Sequence, residues 1–338
     1  MLSPPSRPSG AAGRPAASRA SRAGLGWGLL GVAAFSFTVP FTKAAVAGGG
    51  MSPLFVGAGR AVIAAVLAAL ALAATRQRLP RGAQWARLAV VAGGVVAGFP
   101  LLTSYALSTA SAGHSAVVIA LLPAATAVLA VLRGRERPPV PFWVAAGVGA
   151  VAAVCFASVR GGGLGAPGWP DLLLIAAVLA AGLGYAEGGL LARELGAWQT
   201  ISWALVLSAP VMAALAGLAV WQSPPTGTPV QWAAFGYLGV VSMFLGFFAW
   251  YRGLAIGPMA RVSQIQLVQP VLTIGWAALF LGERITWPTL LGGLAVIASA
   301  GLAVRARTGG TAAPRRAAPR GNRPPAQGRS QAPETEAR

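Results

Sequence analysis

Apolar residues run along this chain in long unbroken blocks, without the alternation of half-buried strands or the single apolar stripe of soluble helices. Each block covers about 18–23 residues, enough for a helix to cross a hydrocarbon layer of about 30 Å. The blocks predict helices at 24–45, 53–74, 86–106, 112–132, 140–159, 170–192, 198–220, 231–251, 258–281 and 286–304. Pro80, Pro138, Pro139, Pro224, Pro225 and Pro229 fall in the connectors, whereas Pro40, Pro100, Pro123, Pro210 and Pro270 fall inside helices. An interior proline removes a backbone hydrogen bond, so such kinks must be shielded by neighbouring helices or line a cavity. Residues 1–22 and 305–338 are Pro, Ser, Ala, Gly and Arg without periodicity. They hold too little apolar surface to offset ordering entropy and are expected to be disordered tails.

Composition agrees with a membrane solvent. The chain is 56% hydrophobic and 10% charged, against roughly a quarter charged in soluble domains. The class expected is an all-α integral membrane protein. A net charge of +19 could point to nucleic acid, so the position of the charges decides. They gather in the tails and between apolar blocks, as basic groups wet on one side of a membrane do. With the N-terminus inside, Arg76, Arg78, Arg81, Arg87, Arg133, Arg135, Arg137, Arg193, Arg252 and Arg261 all fall inside, and the outside loops hold Arg160 and Arg284. The positive-inside rule then puts both termini in the cytoplasm and requires an even number of spans, ten. A rival reading takes residues 1–47 as a secretory signal, with Ala45-Val46-Ala47 as the cleavage site. The long basic stretch, Lys43 just before the cut and the repeat described next speak against it. Cys155 is the single cysteine and cannot form an internal disulfide.

The chain repeats itself. Leu121-Leu122-Pro123 leads to Glu136-Arg137, and Val268-Gln269-Pro270 leads to Glu283-Arg284, the glutamate standing thirteen residues after the proline both times. Thr126 and Thr273 match in that frame, and Tyr105 and Tyr251 match to within one residue. Two units of five helices follow, 23–160 and 161–304, between tails 1–22 and 305–338. Five is odd, so the second unit enters the membrane inverted, and the basic 76–87 connector accordingly faces an uncharged 224–229 connector. Inverted repeats are characteristic of secondary transporters.

Leu281-Gly282-Glu283-Arg284 after a Pro270 helix, an Arg60-bearing second helix, and Tyr105-Ala106-Leu107 before Ser111-Ala112-Gly113 resemble the EamA family of the drug/metabolite transporter superfamily. The resemblance covers about 24–304. It implies ten helices in two inverted repeats and efflux or exchange of small metabolites, often amino acids. The first repeat departs from the pattern, with Gly134-Arg135-Glu136 where the second has Leu281-Gly282-Glu283.

Lys43, Arg60 and Glu187 are the charges expected within spans. At the bilayer centre such groups cost about 2.5–3.5 kcal/mol on insertion scales. Lys43 and Arg60 lie at similar depth and can jointly hold a substrate carboxylate; the alternatives are snorkelling for Lys43, and carbonyl or lipid-phosphate contacts for Arg60. Glu187 is either a proton-coupling carboxylate or an interfacial acid paired with Arg193. Ser263, Gln266, Pro270 and Thr273 recur at three- and four-residue spacing on one helical face, flanked by Gln269. That face lines a cavity or glues helices together. In the equivalent helix Ala116, Ile119 and Leu122 replace the polar members and only Thr126 remains, so the site is expected to be asymmetric. Pro123 and Pro270 are candidate hinges. Tyr105, with Trp27, Trp250 and Tyr251, either lines the site or belongs to an interfacial belt. His114 reads as a surface histidine.

Gly113-His114-Ser115-Ala116 brings an intramembrane serine protease to mind, but a nucleophile needs a positioned base and His114 is the one histidine. No metal-ligand cluster, Walker loop or dinucleotide fingerprint occurs, so no enzyme activity, metal or cofactor is expected. The expected function is gradient-driven or exchange transport of a small polar, amino-acid-like metabolite across the cell membrane. Multidrug or cation efflux and a non-transporting scaffold are the alternatives. Expected partners are the substrate and anionic lipids at the basic tails, without nucleic acid; a homo-oligomer is left open.

Overall fold

The computed structural model describes residues 14–134, 139–160, 163–164, 168–256 and 265–310. Among them, seven helices are long and apolar enough to cross a membrane: α1 (Ala23–Gly49), α2 (Pro53–Ala74), α3 (Gln84–Thr109), α4 (Ala112–Arg133), α6 (Trp169–Leu195), α7 (Ala197–Gln222) and α8 (Pro229–Gly253). Three shorter apolar helices complete the bundle: α5 (Val140–Ala152), α9 (Gln266–Leu281) and α10 (Trp287–Leu302). A two-residue antiparallel pair, Val159–Arg160 with Gly163–Leu164, is the sole strand pairing among the described residues. The N-terminal tail differs from expectation, because helix already begins at Arg14. Pro15 fits the first helical turn, where its missing N–H has no partner to lose, and the alanines after it favour helix.

Caps mark the starts of the spans. Ser52 accepts from Phe55 N–H before Pro53, and Ser111 accepts from His114 N–H at the start of α4. Thr228 and Gln231 form a reciprocal capping box at α8. Of the interior prolines, Pro210 lies within the continuous helix α7, and the other four fall at or next to breaks. α1 is interrupted at Phe37, ahead of Pro40. The π-helical stretch Ala92–Gly98 precedes Pro100, and a second π-helical stretch runs over Leu238–Leu245. α4 is broken between Ile119 and Leu122, and α9 opens with a 3₁₀ turn at Gln266–Val268 before helix resumes at Gln269. Pro123 and Pro270 both sit in the first turn after such a break.

α2 packs on α7, α1 on α8, α3 and α4 on α6, α9 on α4, and α10 on α5. Two of these contacts depend on missing side chains, as membrane helices do when dispersion is the main attraction. A Cβ at Gly94 would lie 2.3 Å from the Ala180 carbonyl oxygen on α6, and one at Gly253 would lie 2.6 Å from the Gly28 nitrogen on α1. The neighbouring Gly93 has nothing within 4 Å. Gly94→Ala is therefore expected to destabilise by about 1–3 kcal/mol through overpacking, while Gly93→Ala is neutral. Melting of the purified protein in detergent measures both; equal shifts would refute the close α3–α6 approach.

Candidate functional site

The two broken helices meet. A cavity at the α1–α4–α9 junction is lined by Val39, Ala116, Ile119, Leu122, Pro123, Gln266, Gln269, Pro270 and Thr273, among others. It leaves about 10 Å³ for the centre of a water-sized sphere, room for about one water molecule. The helices thus pack tightly at this junction. Gln266 is buried, and Gln269 Oε1 finds no hydrogen-bond partner among the described residues. Thr273 is already engaged. Pro40 cannot donate to the Ser36 carbonyl four residues earlier, and Thr273 Oγ1 donates to that carbonyl at 2.9 Å instead. Trp276 Nε1 donates to Ser36 Oγ at 2.9 Å beside it. Thr126, the repeat counterpart of Thr273, keeps a buried hydroxyl without a partner among the described residues.

Arg60 is 1% exposed. It donates to Thr42 Oγ1 of α1 at 3.2 Å and Thr103 Oγ1 of α3 at 3.4 Å, and its Nε has no partner among the described residues. No carboxylate pairs with it among the described residues. Thr42 Oγ1 donates to the Thr38 carbonyl, and the Thr38 hydroxyl shares a 2.7 Å bond with Ser242 of α8. Thr42 and Lys43 stand three and four residues after Val39, so the turn of α1 next to the cavity wall carries Arg60's partner and a second cation. Lys43 is half-buried.

The ends of the bundle are closed by different chemistry. At one end Glu187 of α6, 2% exposed, is ion-paired through Oε1 with Arg87 of α3 and through Oε2, at 2.8 Å, with Arg133 of α4. Arg87 also pairs with Glu194. Neither guanidinium partner of Glu187 was foreseen; they lie 100 and 54 residues away in the chain. At the other end Phe37 stacks on Trp276 at 4.6 Å, and Phe41 meets the Tyr237 ring edge-on at 4.8 Å, so aromatic rings join α1, α8 and α9. Beside them Glu283 accepts from Ala112 N–H at 2.7 Å and Gly113 N–H at 2.8 Å, placing a carboxylate on the N-terminus of α4. His114 is not a bare surface histidine: its Nε2 lies 2.6 Å from Oδ1 of the fully buried Asp171. Asp171 Oδ2 also accepts from Gly168 N–H at 2.8 Å. Asp171 follows Trp169-Pro170, a Pro-then-acid helix start that a reading of caps would have picked out.

The EamA-like transporter family matches this chain twice, over residues 22–158 and 168–305. The chain belongs to the EamA-like transporter family. A protein of Bacillus subtilis (strain 168), "Uncharacterized transporter YdeK", is 44% identical over 282 residues, spanning 80% of this chain and 94% of its own. A crystal structure of a protein 18% identical, covering 85% of this chain and 98% of its own, shares the fold at a TM-score of 0.58. The chain is thus a multi-pass membrane protein of a transporter family.

Within this EamA fold the expected site residues divide. Gln266, Gln269, Pro270, Thr273 and Pro123 share the cavity wall. Lys43 lies on the adjoining part of α1, Arg60 of α2 reaches α1 at Thr42, Glu187 stands apart at the ion-paired end, and Ser263 lies outside the described residues. Tyr105 is not brought to the cavity: it is 44% exposed, whereas Tyr251 is buried. The 147-residue offset between Pro123 and Pro270 pairs Tyr251 with the buried Ser104, and Tyr105 with the exposed Arg252. A one-residue slip turns a side chain by about 100° around a helix, enough to move Tyr105 to the outer surface.

Proposed function

We propose that the protein is a secondary transporter that exports or exchanges a small, polar, carboxylate-bearing metabolite of amino-acid type across the cell membrane. The observation that carries this reading is Arg60, a buried guanidinium held by two hydroxyls with no carboxylate partner among the described residues. A lone buried charge is costly, and a substrate carboxylate supplies the missing counter-charge. The amides of Gln266 and Gln269 then receive the polar remainder in the widened cavity. Energy comes from a gradient or from exchange.

In this reading the chain forms ten spans, arranged as two inverted five-helix repeats. The paired family match supports it. So do the π-helical stretches at 92–98 and 238–245, which the 147-residue offset aligns to within one residue. The α1–α8 and α3–α6 contacts are also equivalent under that offset. Alternating access follows as a see-saw about Pro123 and Pro270: the Glu187 joint opens to the cytoplasm while the aromatic joint stays shut, then the reverse. With both termini cytoplasmic, residue 226 is extracellular and residue 78 intracellular. Single cysteines introduced at those positions are expected to react with an impermeant thiol reagent from opposite sides of the membrane; residue 226 labelling from inside would overturn the topology.

The function is tested by comparing media metabolites from cells overproducing the protein with controls, then by counterflow in proteoliposomes. A carboxylate compound is expected to be enriched outside, and its methyl ester should fail to compete. The aromatic joint lends multidrug export its one specific support. Unchanged media with raised resistance to cationic dyes would establish that reading instead.

A further inference from the structure

At the Glu187 end the connector after α2 and the start of α7 enclose a groove of about 540 Å³. Arg76, Arg78 and Arg81 line it, all three exposed. The acid on its wall, Glu194, is already ion-paired with Arg87, so among the described residues the groove presents positive charge without an acid of its own to neutralise it. Apolar groups stand beside the cations. Leu79 is 67% exposed and Trp203, held edge-on by Trp85 at 6.0 Å, lines the same space.

The backbone holds these arginines in place at a cost. Arg76 N–H donates to the Ala73 carbonyl and Gln77 N–H to the Leu72 carbonyl, both at 3.0 Å, the bonding pattern that ends a helix in a left-handed residue. That residue is usually glycine. Here it is Arg76 at φ 49°, and among the described residues no other non-glycine has positive φ. Gln199 NH₂ donates to Gln77 Oε1 at 3.3 Å across the groove and ties the connector to α7.

We infer that this groove binds a phosphate group, and that its source is the headgroup of an anionic phospholipid. Guanidinium forks match phosphate oxygens. Leu79 and Trp203 lie where acyl chains and the headgroup boundary would meet them. A free phosphate shares the anion and lacks the apolar part. Each arginine beside an anionic headgroup contributes a factor of about five in affinity, so removing three lowers retention about a hundredfold.

Native mass spectrometry of the full-length protein from nanodiscs of phosphatidylcholine, with and without phosphatidylglycerol, tests this. The wild type is expected to hold one phosphatidylglycerol through delipidation, and Arg76→Ala/Arg78→Ala/Arg81→Ala to lose it. Arg76→Lys/Arg78→Lys/Arg81→Lys keeps the charges that orient the chain, and should retain lipid more weakly than wild type but above the alanine variant. A second arm titrates inorganic phosphate into protein in phosphatidylcholine alone and follows melting. Stabilisation there, absent from the alanine variant and without lipid retention, would keep the phosphate site and assign it to a soluble ligand. Equal retention of phosphatidylglycerol and phosphatidylcholine by the wild type, with no response to phosphate, would overturn the inference whether or not the variants insert.

Discussion

Arg60→Leu is expected to abolish transport of the carboxylate substrate while leaving the protein at least as heat-stable as before. The two effects have opposite origins. Arg60 is 1% exposed and its Nε has no partner among the described residues, so a desolvated charge is compensated there by two threonine hydroxyls. Replacing an incompletely paired buried ion by an apolar side chain of similar bulk is often neutral or stabilising. Substrate binding loses far more, since removing one partner of a buried charge pair costs about 2–5 kcal/mol, which is at least about thirtyfold in flux at low substrate. Counterflow in proteoliposomes and melting in detergent give the two readings. A variant that melts well below wild type and transports normally would show that Arg60 is a structural anchor. Arg60→Lys separates charge from geometry: it keeps the cation but cannot span Thr42 and Thr103 as a fork, so partial flux is expected.

Glu187→Leu is expected to unlatch the end of the bundle where α3, α4 and α6 meet. Both oxygens of this 2% exposed carboxylate are held by arginines, so its loss leaves Arg87 and Arg133 facing each other without their shared anion. A fully buried pair would cost about 3–5 kcal/mol to break; because the arginine side chains are 22% and 56% exposed, water and salt screen the loss to about 1–3 kcal/mol. The consequence is a shift toward the state open at that end. In a Cys155→Ser background, a cysteine at Leu129, about one turn of α4 before Arg133, is expected to be labelled severalfold faster from the cytoplasmic side in the variant. The exchange Glu187→Arg with Arg133→Glu should restore part of the protection. If labelling is unchanged and pH dependence of flux alone disappears, Glu187 is the proton-coupling carboxylate and the joint is held by other contacts. At the opposite end aromatic rings join α1, α8 and α9, beside the His114–Asp171 and Glu283 contacts, whereas arginine–glutamate pairs hold the Glu187 end, so raised salt should favour opening at the Glu187 end.

What could be read from the chain alone, and what could not, follows from the range of the forces involved. A hydrocarbon layer selects each residue by its own polarity, so the apolar blocks locate α1 to α4, α6 to α8 and the shorter α5, α9 and α10 closely. Helical periodicity is equally local, and it put Gln266, Pro270 and Thr273 on one face before their shared wall was known. Proline has its consequence within one turn, so the breaks at Pro40, Pro123 and Pro270 were legible too. Partnership was not. That Glu187 meets Arg87 and Arg133, that Arg60 meets Thr42 and Thr103 in place of a carboxylate, that Asp171 holds His114 and that Phe37 stacks on Trp276 depend on which helices pack together and at what rotation. Tyr105 shows how finely this is set: one residue of register carried it from the expected cavity to the surface, while Tyr251 turned inward. Polarity and period belong to the sequence by itself; the pairing of charges, hydroxyls and rings across α1, α3, α4, α6 and α9 was decided by tertiary packing, because side chains far apart along the chain interact only where the fold brings them within a few ångströms.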